Sequence, residues 1–296
     1  MDSNVRREAV REHVKKKFRG KQKVVSKVHP HYPERAEREY QRVTNAYMVL
    51  LSRIIKEQLV PEIREAAKVE LDPGYWRRDS ESGLMRRLAE AFDKCEKALE
   101  KEAKSFELTR RISEVAALTT KLSIKDWKKM VQETVGIDLL DDYYSGEFFE
   151  KALEAWTSDN VDLIKTIPHN TLSKMKEIVL EGYRNGRTTT KIVKAIQKEY
   201  GSSRRQAQLI ARDQMAKLNS EVTQKQQEDA GVQEYVWSTS GDSRVREGHK
   251  KLNGKRFRWD DPPVVDAKTG RRCHPGADYQ CRCVALPVFD IDTLDL

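Results

Sequence analysis

Hydrophobic residues recur at steps of three and four along most of this chain, which is the spacing of one face of an α-helix. The first stripe predicts a helix from Glu34 that Pro61 kinks or ends. A second stripe begins near Leu84 and predicts a helix antiparallel to the first, with residues 61–83 as the connection. The stripes consist of Tyr40, Val43, Tyr47, Leu50, Leu51 and Ile54, and of Leu88, Phe92, Cys95, Leu99 and Phe106.

Shorter helical segments follow, and we expect polar or glycine-containing joints to separate them. Residues 158–160 (Ser-Asp-Asn) predict a joint and a helix N-cap, and Pro168 predicts a nearby break. Residues 201–203 (Gly-Ser-Ser) are expected to restart the chain before a last helix that stops at Gly231.

The pattern changes to alternation after Gly231, which is typical of β-strands. Strands are predicted at 233–240, 255–259 and 281–288, the last ending near Pro287. The expected fold class is therefore mainly α, with an elongated helical N-terminal body and a small C-terminal α+β module. The expected divisions are a basic, flexible arm over 1–30, a domain of long antiparallel helices over 31–157, and a C-terminal domain over 158–296 with helices at 160–230 and a small antiparallel sheet at 232–290.

Positive charge is concentrated at the N-terminus. The chain carries a net charge of +9, and residues 1–28 alone carry ten basic against three acidic residues. Such an arm suits a polyanion such as DNA, and a solvated, disordered terminus is the equally weighted alternative. The candidate DNA-binding residues of the arm are Arg6, Arg7, Arg11, Lys15, Lys16, Lys17, Arg19, Lys21 and Lys23.

A second basic stretch covers residues 244–272, with ten basic and four acidic residues. Lys255, Arg256 and Arg258 are candidates for phosphate contacts at its rim. Phe257 and Trp259 alternate with them, and strand geometry predicts that both rings face the core.

No apolar run is long enough to span a membrane, and the N-terminus lacks the apolar segment of a secretory signal. Cys95 lies in a helical stripe and is expected in the core. The other three cysteines, Cys273, Cys281 and Cys283, crowd near the C-terminus. In a reducing compartment, this clustering indicates either a metal site or simple packing.

The most specific pattern lies within residues 206–286, where several motif elements follow one another in a fixed order. These elements contain Arg212, Trp237, Asp242, Arg244, His249, Leu252, Gly254, Cys281 and Cys283. At these positions the stretch resembles the Mu F-like phage head morphogenesis family, and the resemblance covers about residues 160–290. Asp213 departs from the family pattern, which often has Thr or Ser there, so its role stays open.

This resemblance implies a phage minor head protein, present in a few copies in the head interior or at the portal vertex, and in the bacterial host cytoplasm during assembly. The implied partners are the portal protein, the major capsid or scaffolding protein, and double-stranded DNA without sequence preference. No membrane is implied.

Zinc is the candidate cofactor. If Cys281 and Cys283 lie in a strand, both sulfurs point to the same face, where His249 can meet them. Cys273 or His274 could complete a tetrahedral set. Two cysteines separated by one residue are not the usual zinc-knuckle spacing, so packing of the thiols as small apolar groups is the alternative.

Two interpretations of the charged motif residues are open. Asp242, Arg244, Arg246 and His249, with Arg212, could form an active site, or an Arg–Asp network that rigidifies a module with a small core. The sequence has no nucleophile elbow and no P-loop, so we expect no enzyme and assign no catalytic residue. The alternatives to a head protein are a metal-dependent nuclease or toxin-like effector, and a plain DNA-binding protein.

Overall fold

The computed structural model describes residues 3–70, 78–140, 144 and 148–296, and the side chains at 3–7, 66–70 and 78–82 are outside this description. Within it, the chain is mainly helical with a small sheet, which confirms the predicted fold class. The helices are α1 Ser3–Lys17, α2 Glu34–Ile54, α3 Val60–Glu70, α4 Arg78–Ser105, α5 Leu108–Val135, α6 Glu150–Arg184, α7 Thr189–Asp229 and α8 Glu247–Leu252. The strands are β1 Lys23–Val25, β2 Glu234–Ser238, β3 Arg256–Arg258, β4 Val264–Asp266, β5 Arg271–Arg272 and β6 Val284–Asp290.

The contacts divide the chain into two compact units, and each unit is built from more than one segment of the sequence. The first, the sheet unit, consists of residues 1–37, 114–156 and 212–296. The second, the helical unit, consists of residues 38–113 and 157–211. Four helices contribute residues to both units, so no single cut in the sequence separates them.

In the helical unit, α2 and α3 pack against α4 as the stripes predict. Arg53 pairs with Glu102 at 2.7 Å, and Glu62 pairs with Arg87 at 3.7 Å. From the first pair to the second, the residue number rises from 53 to 62 on one side and falls from 102 to 87 on the other. This is the order that antiparallel helices require. Residues of both stripes, including Leu51, Ile54, Leu88, Phe92, Cys95 and Leu99, meet in one buried core.

The helix does not end at Pro61, which excludes one of the two outcomes expected there, an end or a kink. A π-helical segment, Ile55–Leu59, joins α2 to α3, and the Val60 N–H donates to the Ile55 carbonyl. Proline has no N–H for the usual bond to the preceding turn, and its ring collides with a carbonyl there. The wider π turn accommodates that defect without breaking the helix.

The joints expected at residues 158–160, Pro168 and residues 201–203 were wrong, because α6 and α7 run through them without interruption. Asn160 is buried, and its side-chain oxygen accepts a hydrogen bond from the Tyr40 hydroxyl at 2.7 Å. The polar residue that suggested a helix cap therefore makes a buried tertiary hydrogen bond in the middle of a helix.

The sheet unit contains a four-stranded antiparallel sheet in the order β1-β6-β2-β3. Its first strand comes from the N-terminal segment, since Val25 lies opposite Val288. Val14 and Phe18, in and directly after α1, are buried as well. The described part of the segment predicted as a basic arm therefore contains a helix and a strand of the sheet.

Strands β2 and β3 lie within the predicted segments, but β6 begins three residues later than predicted and runs past Pro287 to Asp290. The loop before β6 consequently holds both Cys281 and Cys283. A second, two-stranded sheet pairs β4 with β5. Among the described residues, no helix is long and apolar enough to cross a membrane.

Candidate metal centre

Three of the four predicted metal ligands meet at one buried point of the sheet unit. His249 projects from α8, and its Nδ1 lies 3.5 Å from the sulfur of Cys281 and 3.5 Å from that of Cys283. All three residues are buried, and their ligand atoms lie within 4.8 Å of one another. The cysteines converge because the loop before β6 turns there, and the strand geometry expected from the sequence does not apply.

Asp213 explains how that loop is positioned. Its carboxylate, on α7, accepts a hydrogen bond at 2.8 Å from the backbone N–H of Gln280, the residue directly before Cys281. Gln280 has a φ of 49°, a conformation that a non-glycine residue adopts only when its surroundings impose it. About two turns further along α7, Ser220 donates to the Pro275 carbonyl at 2.7 Å. The residue whose role the sequence left open thus fixes the cysteine loop.

Asp278 holds His249 from the side opposite the sulfurs. Its Oδ2 lies 3.0 Å from His249 Nε2 and 2.8 Å from Arg246 Nη1, and its Oδ1 lies 3.1 Å from Arg271 Nη2. The side chain of Asp278 is only 3% exposed, so these contacts are made in a water-poor setting. Because a carboxylate only accepts, Nε2 donates to Asp278 and Nδ1 faces the sulfurs.

The walls of the site are aromatic. Trp237, on β2, is fully buried and meets the His249 ring edge-on at 5.3 Å. Tyr235, Phe257 and Trp259 continue this cluster, so the ring on β3 and the ring directly after it both pack into the core as predicted. Gly254 closes the turn before β3, and its N–H donates to the Trp237 carbonyl at 2.8 Å.

The two alternatives for a fourth ligand do not join the three. Cys273 lies outside the group of described residues whose ligand atoms converge, which corrects the four-residue set. Burial raises the pKa of its thiol to about 12. His274 Nδ1 instead lies 2.9 Å from the Tyr235 hydroxyl, and burial lowers the pKa of its ring.

Neighbouring groups shift the pKa values of the two site cysteines in opposite directions. A hydrogen bond with Cys283 lowers the pKa of Cys281, with His249 and two backbone N–H groups adding to the effect against the opposing cost of burial. The pKa of Cys283 is raised, first by its bond to Cys281 and then by burial. The hydrogen bond with Cys281 also raises the pKa of His249. Two sulfurs beside a ring nitrogen are the donor set of a soft metal site.

A cavity of about 140 Å³ opens next to these side chains. His249, Cys281 and Cys283 all line it. The remaining charged residues of its lining are Arg212, Asp242, Arg244, Arg246 and Arg282. Four guanidinium groups against one carboxylate make this an electropositive cavity beside the three ligand side chains.

The charged motif residues divide into three sets within this region. Asp242 accepts from the side chain of Arg244 at 3.1 Å and from that of Arg282. Arg246 binds Asp278, as described above, and Arg212 Nε lies 3.4 Å from Glu37. The motif residues thus line one cavity without forming a single chain of contacts. The sequence missed Asp278, Arg271 and Arg282, and the only signal for them was their position between or beside the cysteines.

The candidate DNA-binding residues that lie on strands are at opposite edges of the four-stranded sheet. Lys23 is on β1, at one edge, and its Nζ lies 3.3 Å from Glu234 and 3.3 Å from Asp290. Arg256 and Arg258 are on β3, at the other edge, with Lys255 just before it. The side chains of Arg6 and Arg7 are outside the described residues. The other candidates of the N-terminal segment are exposed, namely Arg11, Lys15, Lys16, Lys17, Arg19 and Lys21.

Comparison with known proteins identifies relatives of the part of the chain that carries this site. Residues 173–286 match the family model described as Phage Mu protein F like protein. A stretch of 160 residues is 35% identical to an uncharacterized protein of Haemophilus influenzae strain Rd, and covers 54% of this chain. The match spans only 34% of that relative's length. No solved structure matches the chain.

Proposed function

We propose that this chain, whose residues 173–286 match the Phage Mu protein F like family, is a minor head protein of a tailed phage or prophage. It associates with the portal protein during procapsid assembly and contacts packaged double-stranded DNA without sequence specificity. It resides in the virion, and in the host cytoplasm during assembly.

The family match is the observation that carries this proposal. The matched segment includes every motif residue from Arg212 to Cys283, with the three converging ligand side chains among them. Contact with DNA is supported separately by exposed basic side chains at both edges of the sheet. Such charges bind the phosphate backbone and do not recognise individual bases, so the contact does not depend on DNA sequence.

One observation favours a second candidate, a metal-dependent nuclease. The three potential ligands line a cavity with four arginines, and an arginine-rich pocket next to a metal is suited to a phosphodiester. This candidate predicts that metal-loaded protein cleaves plasmid DNA, and that His249→Gln abolishes cleavage. A head protein without nuclease activity leaves the plasmid intact in the same assay.

The test of the head role is recovery with the portal. The protein is co-expressed with the portal and major capsid proteins of the same phage genome, captured, treated with nuclease and washed at high salt. We expect the portal to remain bound. Recovery with neither protein, or only before nuclease treatment, contradicts the proposal, because DNA would then be the only link.

A matched variant distinguishes specific docking on the portal from non-specific electrostatic binding in this experiment. Lys15, Lys16 and Lys17 are exposed on α1, and replacing all three with Glu removes a cluster of positive charge. Specific docking on the portal survives this change, whereas general adhesion of a basic protein is lost.

A further inference from the structure

We propose that His249, Cys281 and Cys283 bind one Zn²⁺ ion, and that the fourth coordination position opens into the arginine-lined cavity, where it takes an anionic oxygen ligand of the phosphate type. Nothing in the head role requires such a site, so this inference stands on the geometry alone.

The distances between the donor atoms fit a tetrahedral ion. Zinc lies about 2.3 Å from a thiolate sulfur and about 2.0 Å from a histidine nitrogen, which holds the two about 3.5 Å apart at the tetrahedral angle. His249 Nδ1 lies at 3.5 Å from Cys281 Sγ and at 3.5 Å from Cys283 Sγ. Two edges of the coordination tetrahedron are therefore already formed by the fold.

The surroundings are those of a metal ligand set. Asp278 accepts from His249 Nε2 at 3.0 Å, the outer-sphere contact that orients a metal-bound histidine and fixes its tautomer. The backbone N–H of Cys283 donates to the sulfur of Cys281 at 3.3 Å, a bond that stabilises a thiolate. Asp278 thus acts as a positioning residue, because it reaches the ion only through the imidazole.

The fourth position is left to an external ligand. Cys273 is outside the converging group, so among the described residues the set has three members. Zinc sites with three protein ligands keep a position for water or substrate, whereas structural sites have four. All three ligands line the cavity that Arg244 and Arg282 also line, so an anion there faces both the ion and guanidinium groups.

The first experiment measures metal content. The full chain is purified with a histidine-free tag and without chelator, and zinc is determined by elemental analysis. We expect about one zinc per chain, lost in Cys281→Ser, Cys283→Ser and His249→Gln. Cys95→Ser, which changes a buried cysteine in the other unit, and Cys273→Ser are the matched controls and retain it.

Reconstitution with Co²⁺ keeps the test valid if a ligand variant fails to fold. Apo wild type should gain the absorption of a tetrahedral cobalt–thiolate centre. Asp278→Asn keeps the three ligands and should bind the metal about 10–100-fold more weakly. Zinc near zero, together with no cobalt spectrum on wild type, overturns the metal site. Loss of the metal in Cys273→Ser overturns the open fourth position.

The second experiment probes the open position on the cobalt-loaded wild type. Inorganic phosphate should shift the cobalt bands, and Arg244→Gln should weaken phosphate binding without changing metal content. A short DNA duplex that gives the same shift identifies backbone phosphate as a source of the ligand, and a shift with inorganic phosphate alone identifies a free anion. If neither shifts the bands, the fourth position takes no anion and that part of the inference is wrong.

Discussion

Lys23 Nζ lies 3.3 Å from Asp290 Oδ2, which joins the N-terminal segment to the last strand of the sheet. The two residues are also opposite each other in the register of β1 and β6. The basic segment is therefore part of the sheet as well as a candidate DNA contact. Its DNA-binding role has to be tested by substitution, because deleting residues 1–28 also removes a strand.

Non-specific DNA binding should depend steeply on salt through α1. Replacing Lys15, Lys16 and Lys17 with Gln removes up to three phosphate contacts, and each contact contributes about 0.9 to the slope of log affinity against log salt. We expect the slope to fall by about 2–3, measured by fluorescence anisotropy on duplexes of two unrelated sequences.

The control for this measurement is a set of exposed lysines on another helix. Lys94, Lys97 and Lys101 lie exposed on α4, and the same Gln substitutions there should leave the slope unchanged. Equal effects of the two sets on the slope would show that DNA affinity depends only on the net charge of the protein. The N-terminal segment would then make no specific contact with DNA.

Two glycines with the same backbone conformation should differ in their tolerance of alanine. Gly231 and Gly254 have φ of 72° and 77°, which costs any other residue about 1–2 kcal/mol. At Gly231 an added Cβ would also meet the Thr293 carbonyl oxygen, whereas at Gly254 nothing lies within 4 Å. Urea unfolding should show Gly231→Ala to be less stable than Gly254→Ala by about 1–3 kcal/mol. Equal losses would contradict the close approach of Thr293.

Removal of the Asp278 carboxylate should destabilise the sheet unit strongly. Asp278→Ala leaves His249 and Arg246 without their buried anionic partner, and breaking a buried pair in this way costs about 3–5 kcal/mol. Glu247→Ala removes an exposed carboxylate bound to Lys250, and exposed pairs are worth about 1 kcal/mol or less. Chemical denaturation of the two variants measures the difference, and similar losses would mean that Asp278 is not a central contact.

Acid should weaken the sheet unit through Asp290. Although burial opposes it, hydrogen bonds from the Asp292 backbone, Gln22 and Lys23 lower the pKa of Asp290. A lowered pKa in the folded state contributes stability above the unfolded value of about 4, and this is lost as the pH falls through the folded pKa. Asp290→Asn should therefore lose less stability than wild type between pH 5 and pH 2, measured by chemical denaturation at each pH.

The sequence predicted the convergence of His249, Cys281 and Cys283 correctly but for the wrong reason. It placed both cysteines in a strand, whereas the structure places them in a loop held by Asp213. The metal-binding chemistry of the site could be predicted from the residue types, because few side chains bind soft metals. The loop geometry depends on contacts between segments distant in sequence, which periodicity does not encode.

The same distinction explains what the sequence missed in the fold. The apolar stripes located the long helices, since helix formation is set by local spacing. Asn160 was interpreted as a cap because its partner, Tyr40, is 120 residues away. The three residues of β1 are too short a segment to give an alternating pattern, and only their pairing with β6 makes them a strand.

The pairing of β1 with β6 also determines the order in which the protein can fold. Gln22 and Asp290 are 268 residues apart and are joined by a hydrogen bond. During synthesis, β1 leaves the ribosome long before β6. Its backbone N–H and C=O groups therefore stay hydrogen-bonded to water until residues 284–290 have been made. Contacts of such high sequence separation form slowly, because the loop between them has to be closed first. The residues of the helical unit all precede position 212. This unit therefore does not depend on the last strand and can fold while translation continues.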